Sequence, residues 1–174
     1  MRWRNVNRRL GHRLVTATCA GAVAITTPAT VHAEPDTGSP TSPFPVTNLI
    51  LHYYDEVNYT DYFTNSSGGV WFSTPLGLNC GIWDRGSFGC SGNIPGASPG
   101  THNVGWITGQ IEPRYDLALG LYFPPGRAER DLPPRSYIEY NGTRCATMVD
   151  TSTYCQRGPF RFFVTPTRTW LAPP

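Results

Sequence analysis

The hydrophobic positions of this chain change period along its length, and each change marks a different kind of segment. Residues 14–27 form an uncharged run rich in small apolar side chains. Residues 34–46 carry four prolines among polar filler and almost no apolar mass, the composition of a disordered tether. From 48 to 63 the chain is dense in aromatics and free of Gly and Pro. Leu49, Ile50, Tyr53, Tyr54 and Val57 fall at helical spacing after a cap at Thr47 or Asn48, while the tyrosines and Val57 equally suit a strand.

From Gly68 onward the pattern is β. A short strand over 70–73 precedes Pro75, and a hairpin surrounds Cys80 and Cys90. Residues 91–103, mostly Gly, Pro, Ser and Asn, read as loop. A strand resumes over 104–108. Over 116–123, Leu117, Leu119, Leu121 and Phe123 alternate with smaller or more polar neighbours, a period of two. After a Pro-rich loop over 124–134, residues 136–140 and 143–148 flank Asn141-Gly142, the pair that favours a two-residue hairpin. A second cysteine hairpin follows, and 159–165 adds a last strand. The expected fold is mostly β: a small disulfide-stapled antiparallel domain over 47–174, a meander, sandwich or partly open barrel, with one candidate N-terminal helix.

The N-terminus changes that picture only by subtraction. Arg2, Arg4, Arg8, Arg9 and Arg13 precede the apolar run, and Val31-His32-Ala33 offers small residues before Glu34. Charged start, short apolar stretch and small-residue exit are the pattern of a cleaved secretory signal, placing cleavage after Ala33. The run is too short for a bilayer, which takes about 20 residues. All 14 basic side chains are Arg. Without residues 1–33, nine Arg face twelve acids, for a net charge of −3. A nucleic-acid partner would want a basic face, so none is expected.

Four cysteines remain beyond the signal: Cys80, Cys90, Cys145 and Cys155, spaced C-x9-C twice. An even count in an exported chain points to disulfides. Three connectivities are possible. A turn sits midway in each pair, at Asp84-Arg85-Gly86 and around Val149-Asp150-Thr151-Ser152, so local sequence favours 80–90 and 145–155. Zinc sites usually space cysteines two to four apart, so no metal or other cofactor is expected.

These residues also carry a resemblance. Phe72-Ser73-Thr74-Pro75, leading to Asn79-Cys80-Gly81-Ile82 and Cys90, is similar to the opening of a secreted actinobacterial, mycobacterial-type, disulfide-containing domain of unknown function. Leu132-Pro133-Pro134, Tyr140-Asn141-Gly142-Thr143-Arg144-Cys145, Cys155, Gly158 and Phe160-Arg161-Phe162 resemble its closing half. The resemblance spans about residues 70–170. It implies export, disulfides and a β fold, and no activity.

Candidate chemistry is sparse. Gly96-Ala97-Ser98-Pro99-Gly100 fits the G-x-S-x-G spacing, but the residue after that serine must donate a backbone N–H, and Pro99 has none. His52 and His102, and the acids Asp55, Glu56 and Asp61, form no catalytic set by spacing. Aromatics are abundant, 21 of the 141 residues after Ala33. Trp71, Trp83, Trp106, Tyr115 and Tyr122 are the candidate binding residues, able to stack on sugars or anchor a protein. The leading expectation is an exported non-catalytic module at or beyond the cell envelope, its partner a cell-wall glycan or a secreted protein. The alternatives are a small envelope hydrolase using His102 or the three acids, and an inhibitor of secreted proteases presenting Asp84-Arg85-Gly86 or the 91–103 loop.

Overall fold

Asn141 and Gly142 both adopt left-handed backbone, φ 49° and 75°, the requirement of a hairpin turn whose twist matches its strands. That turn joins β6 (Ser136–Tyr140) to β7 (Thr143–Thr147) in the register Tyr140 opposite Thr143. The computed structural model describes residues 41–64, 68–115, 118 and 128–173. The signal segment, residues 34–40 of the tether, the strand expected over 116–123, and Tyr122 lie outside the described residues.

Around the Asn-Gly hairpin the chain meanders through β8 (Thr153–Arg157), β9 (Phe160–Val164) and β10 (Thr169–Ala172). The two-residue β1 (Asp55–Glu56) adds to β6 in parallel, giving a six-stranded sheet in the order β1-β6-β7-β8-β9-β10. The earlier strands β2 (Gly69–Ser73), β3 (Asn79–Trp83), β4 (Ser87–Ser91) and β5 (Asn103–Trp106) form a four-stranded antiparallel sheet in chain order. Its outer strands are bridged by neighbouring loops: Ser73 pairs with Asp131, Phe63 with Val70, and Gly105 with Arg114. Such pairing occupies backbone groups that an open edge would offer to another chain.

Alternation along each strand sends one set of side chains between the sheets. Val70, Phe72, Cys80, Ile82, Phe88, Cys90 and Val104 from one sheet share a buried cluster with Ile138, Cys145, Cys155, Phe162 and Val164 from the other. Phe88 stacks on Phe162 with centroids 5.5 Å apart, and Trp106 on Phe160 at 4.6 Å. The result is a sandwich, and no closed barrel. Cys80 faces Cys90 across β3 and β4, and Cys145 faces Cys155 across β7 and β8. Both pairs are disulfides, with Cα separations of 4.0 and 4.1 Å, so both staples lie inside the core. The favoured connectivity is the one formed.

The aromatic segment 48–63 divides between its two expectations. A helix, α1, runs over Thr47–Tyr53 and buries only Ile50. Its cap is Val46, without a side-chain cap bond, in place of Thr47 or Asn48. The helix stops because β6 offers partners: Asp55 N–H donates to Arg135 O and Val57 N–H to Tyr137 O, each at 2.9 Å. Phe44, read as tether, packs on Tyr154 with centroids 6.5 Å apart, and the Arg161 guanidinium lies 4.3 Å above its ring. Strand β10 had no expectation, because four residues before a proline pair give too short a signal.

Candidate functional site

The expected aromatic platform is corrected first. Trp71 and Trp83 are 1% exposed and Trp106 is 5% exposed. Trp106 points between the sheets and donates its indole N–H to Gln110 O at 2.9 Å. Trp71 and Trp83 lie on the outward face of the four-stranded sheet, packed with Ala128 and Ile107. The sequence feature that seals them there is a row of glycines. Trp71 registers with Gly81, Gly81 with Gly89, and Gly89 with Gly105. A Cβ on Gly81 would stand 2.2 Å from the Trp71 ring, so only glycine lets that indole lie flat on the sheet. The two indoles stack at 5.4 Å with planes 6° apart. Tyr115 is 38% exposed, and partial burial raises its pKa above the usual tyrosine value.

The exposed aromatic surface lies elsewhere. After α1 and β1, a single 3-10 turn spans Tyr59–Tyr62, capped by the Asn58 side chain, which accepts from Thr60 N–H at 3.1 Å. The turn sends Tyr62 inward, where its hydroxyl donates to Asp131 O at 3.2 Å, and burial raises its pKa. Tyr59 and Phe63 are thereby turned outward, 42% and 45% exposed. Both meet Tyr140, the last residue of β6, which is half-buried against the core between the sheets. Ring centroids are 5.9 Å apart for Tyr59–Phe63, 5.4 Å for Tyr59–Tyr140 and 5.5 Å for Phe63–Tyr140, with edge-to-face or tilted planes. Each ring braces the other two, so the surface is largely preformed. Sequence reasoning flagged the dense aromatics of 48–63 but had no means to see that Tyr140, about eighty residues on, completes them.

The catalytic candidates are not brought together. His52, His102, Asp55, Glu56 and Asp61 are all exposed. His52 packs edge-on against Tyr53 at 4.6 Å, and Glu56 accepts a hydrogen bond from the Tyr137 hydroxyl at 3.0 Å. Among the described residues no three His, Cys, Asp or Glu side chains are placed to hold a metal ion. The Gly96–Gly100 stretch lies in a surface loop, turned by Thr101 N–H donating to Ser98 O at 3.0 Å, with neither strand nor helix flanking it.

Arg85 is exposed at the tip of the first cysteine hairpin, but the carbonyls on either side of it are engaged. Asp84 O accepts from Asn141 Nδ2, and Gly86 O accepts from Thr143 Oγ1 at 2.5 Å. Asp84 and Gly86 have φ of 46° and 91°. A tip bound in this left-handed turn is not the extended segment that a protease cleft pairs with along its backbone.

No helix among the described residues is long and apolar enough to cross a membrane, and two disulfides suit an oxidising compartment. Compared with protein-family models, curated proteins and solved structures, the chain matches none of them.

Proposed function

We propose that this chain is an exported, non-catalytic module acting at or beyond the cell envelope, and that it binds a cell-wall glycan through Tyr59, Phe63 and Tyr140. The observation that carries the reading is the mutual bracing of these rings with two of them more than two-fifths exposed. Aromatic faces offer apolar area at low entropic cost, and a sugar presents C–H faces between its hydroxyls. Export is supported by the pattern of residues 1–33 and by the two disulfides. The resemblance to a secreted actinobacterial domain favours a glycan of that kind of envelope.

The test is co-sedimentation of the oxidised chain with isolated actinobacterial cell wall at low and high salt. Pelleting that resists salt is expected, because ring stacking is not screened as charge pairing is. The double substitution Tyr59→Ala and Phe63→Ala is expected to weaken it about tenfold, from roughly 0.5–1.5 kcal/mol per lost aromatic contact. No pelleting by the unsubstituted chain would overturn the glycan reading and leave a secreted protein as the partner to seek.

A further inference from the structure

The outward face of the six-stranded sheet carries a polar cleft that the aromatic surface does not use. Glu139, Arg144 and Gln156 stand in one cross-strand row over β6, β7 and β8. The space above them, about 120 Å³, is bounded also by Thr47 at the start of α1 and by the turn residues Gly142 and Gly158. A Cβ added to Gly158 would meet nothing within 4 Å, so this wall is open.

Each lining group is held in place. Gln156 Oε1 accepts from Thr47 Oγ1 and from the Tyr154 hydroxyl, both at 2.7 Å, and its Nε2 donates to Gly158 O at 2.9 Å. The Arg144 guanidinium pairs with the Glu139 carboxylate and lies 5.6 Å from the centroid of the Tyr137 ring. That pair uses one Nη of Arg144, and its Nε has no hydrogen-bond partner among the described residues.

The charges of Glu139 and Arg144 offset each other. A lone anion in the cleft meets Glu139, and a lone cation meets Arg144. What answers both is a neutral group that accepts from a guanidinium and donates to a carboxylate; a hydroxyl does both on one atom, whereas an amide divides the two roles between its oxygen and its nitrogen. We infer that this cleft is a binding site for a neutral polyhydroxyl ligand, the hydroxylated edge of a sugar ring resting against the Arg144–Glu139 pair. It stands on the opposite side of β6 from Tyr140, so it does not depend on glycan binding at the aromatic surface.

The experiment is a titration of the ¹⁵N-labelled, oxidised full-length chain with glucose, read at the Arg144 side-chain Nε–H and the amides of Gly142 and Gly158. Acetate and acetamide serve as anionic and amide probes. Glucose is expected to move these signals saturably, with the other two probes leaving them in place. Arg144→Met is expected to abolish the saturable shift. Glu139→Gln, at a position two-fifths exposed and so tolerant of change, is expected to weaken it about tenfold while other amides keep their positions. The proposal is overturned if glucose moves none of these signals, if acetate or acetamide moves them instead, or if Glu139→Gln binds glucose unchanged.

Discussion

The two sheets of this sandwich turn equivalent hairpins inward and treat their outward faces in opposite ways. Each contributes a C-x9-C hairpin whose disulfide points into the shared core. On the four-stranded sheet the outward face is a glycine row over which Trp71 and Trp83 lie stacked and sealed. On the six-stranded sheet the outward positions are an aromatic row, Tyr137-Ala146-Tyr154-Phe163-Trp170, beside a polar row, Glu139-Arg144-Gln156-Arg161. There the covering is partial, supplied by Phe44 and Ile50 from the N-terminal segment. The lesson is that large aromatics do not by themselves mark a binding face. On one face glycine lets the rings lie flat on the strands, and on the other Tyr137 and Tyr154 are buried without glycine, under Ile50 and Phe44.

Removing the two disulfides one at a time tests the shared half of this comparison, and with the largest effect. Both close loops of the same sequence separation, 10 residues, so replacing either pair by Ala should cost about 3 kcal/mol of unfolding free energy in urea titrations. Unequal losses would show that one hairpin carries more of the core than its staple.

Gly81→Ala tests the difference between the faces. Its Cβ would lie within the Trp71 ring, so the indole must lift, at a cost of about 2–3 kcal/mol together with loss of the near-ultraviolet signal of the Trp71–Trp83 stack. The counterpart on the other sheet, Gly158→Ala, meets open space and is strained only by its φ of 55°, so about 1 kcal/mol is expected. Equal effects at the two glycines would contradict the sealed-face account.

The pair Arg144–Glu139 should matter less to stability. Its side chains are 21% and 41% exposed, and exposed pairs contribute below about 1 kcal/mol, so Glu139→Gln should barely shift the urea midpoint.

A pH series sharpens the comparison further. Burial first, then the hydrogen bond and charge of Glu56, raise the Tyr137 pKa above its usual value of 10.0. Tyr62 and Tyr115 are raised by burial as well. The native state therefore holds these protons more tightly than the unfolded chain. Their contribution is fully present below pH 10 and is lost as pH rises from 10 through the raised native values. Urea midpoints should fall between pH 9 and pH 11, and less steeply in Tyr137→Phe.

Much of the fold was legible because its signals are local. The Asn141-Gly142 turn and the two equal cysteine spacings each act within a dozen residues. The parts that were not legible depend on distant partners. α1 ends where β6 supplies backbone acceptors, and β10 exists because β9 has an edge to pair with. Gly81 beneath Trp71 explains why the tryptophans are buried, and that contact joins two strands. Tyr59 and Phe63 fall in the aromatic-dense 48–63 segment but carry no local signal of exposure, and Tyr140 reaches them only through the sandwich.

The central claim is that recognition lies with Tyr59, Phe63 and Tyr140 while Trp71 and Trp83 serve the fold. The most direct test is an amide-shift map of the labelled, oxidised chain on addition of soluble cell-wall glycan fragments. The account predicts shifts at residues 58–63 and 139–142, with the strands around Gly81 and Gly89 unmoved. Shifts centred on β2 and β3, with 58–63 silent, would contradict it.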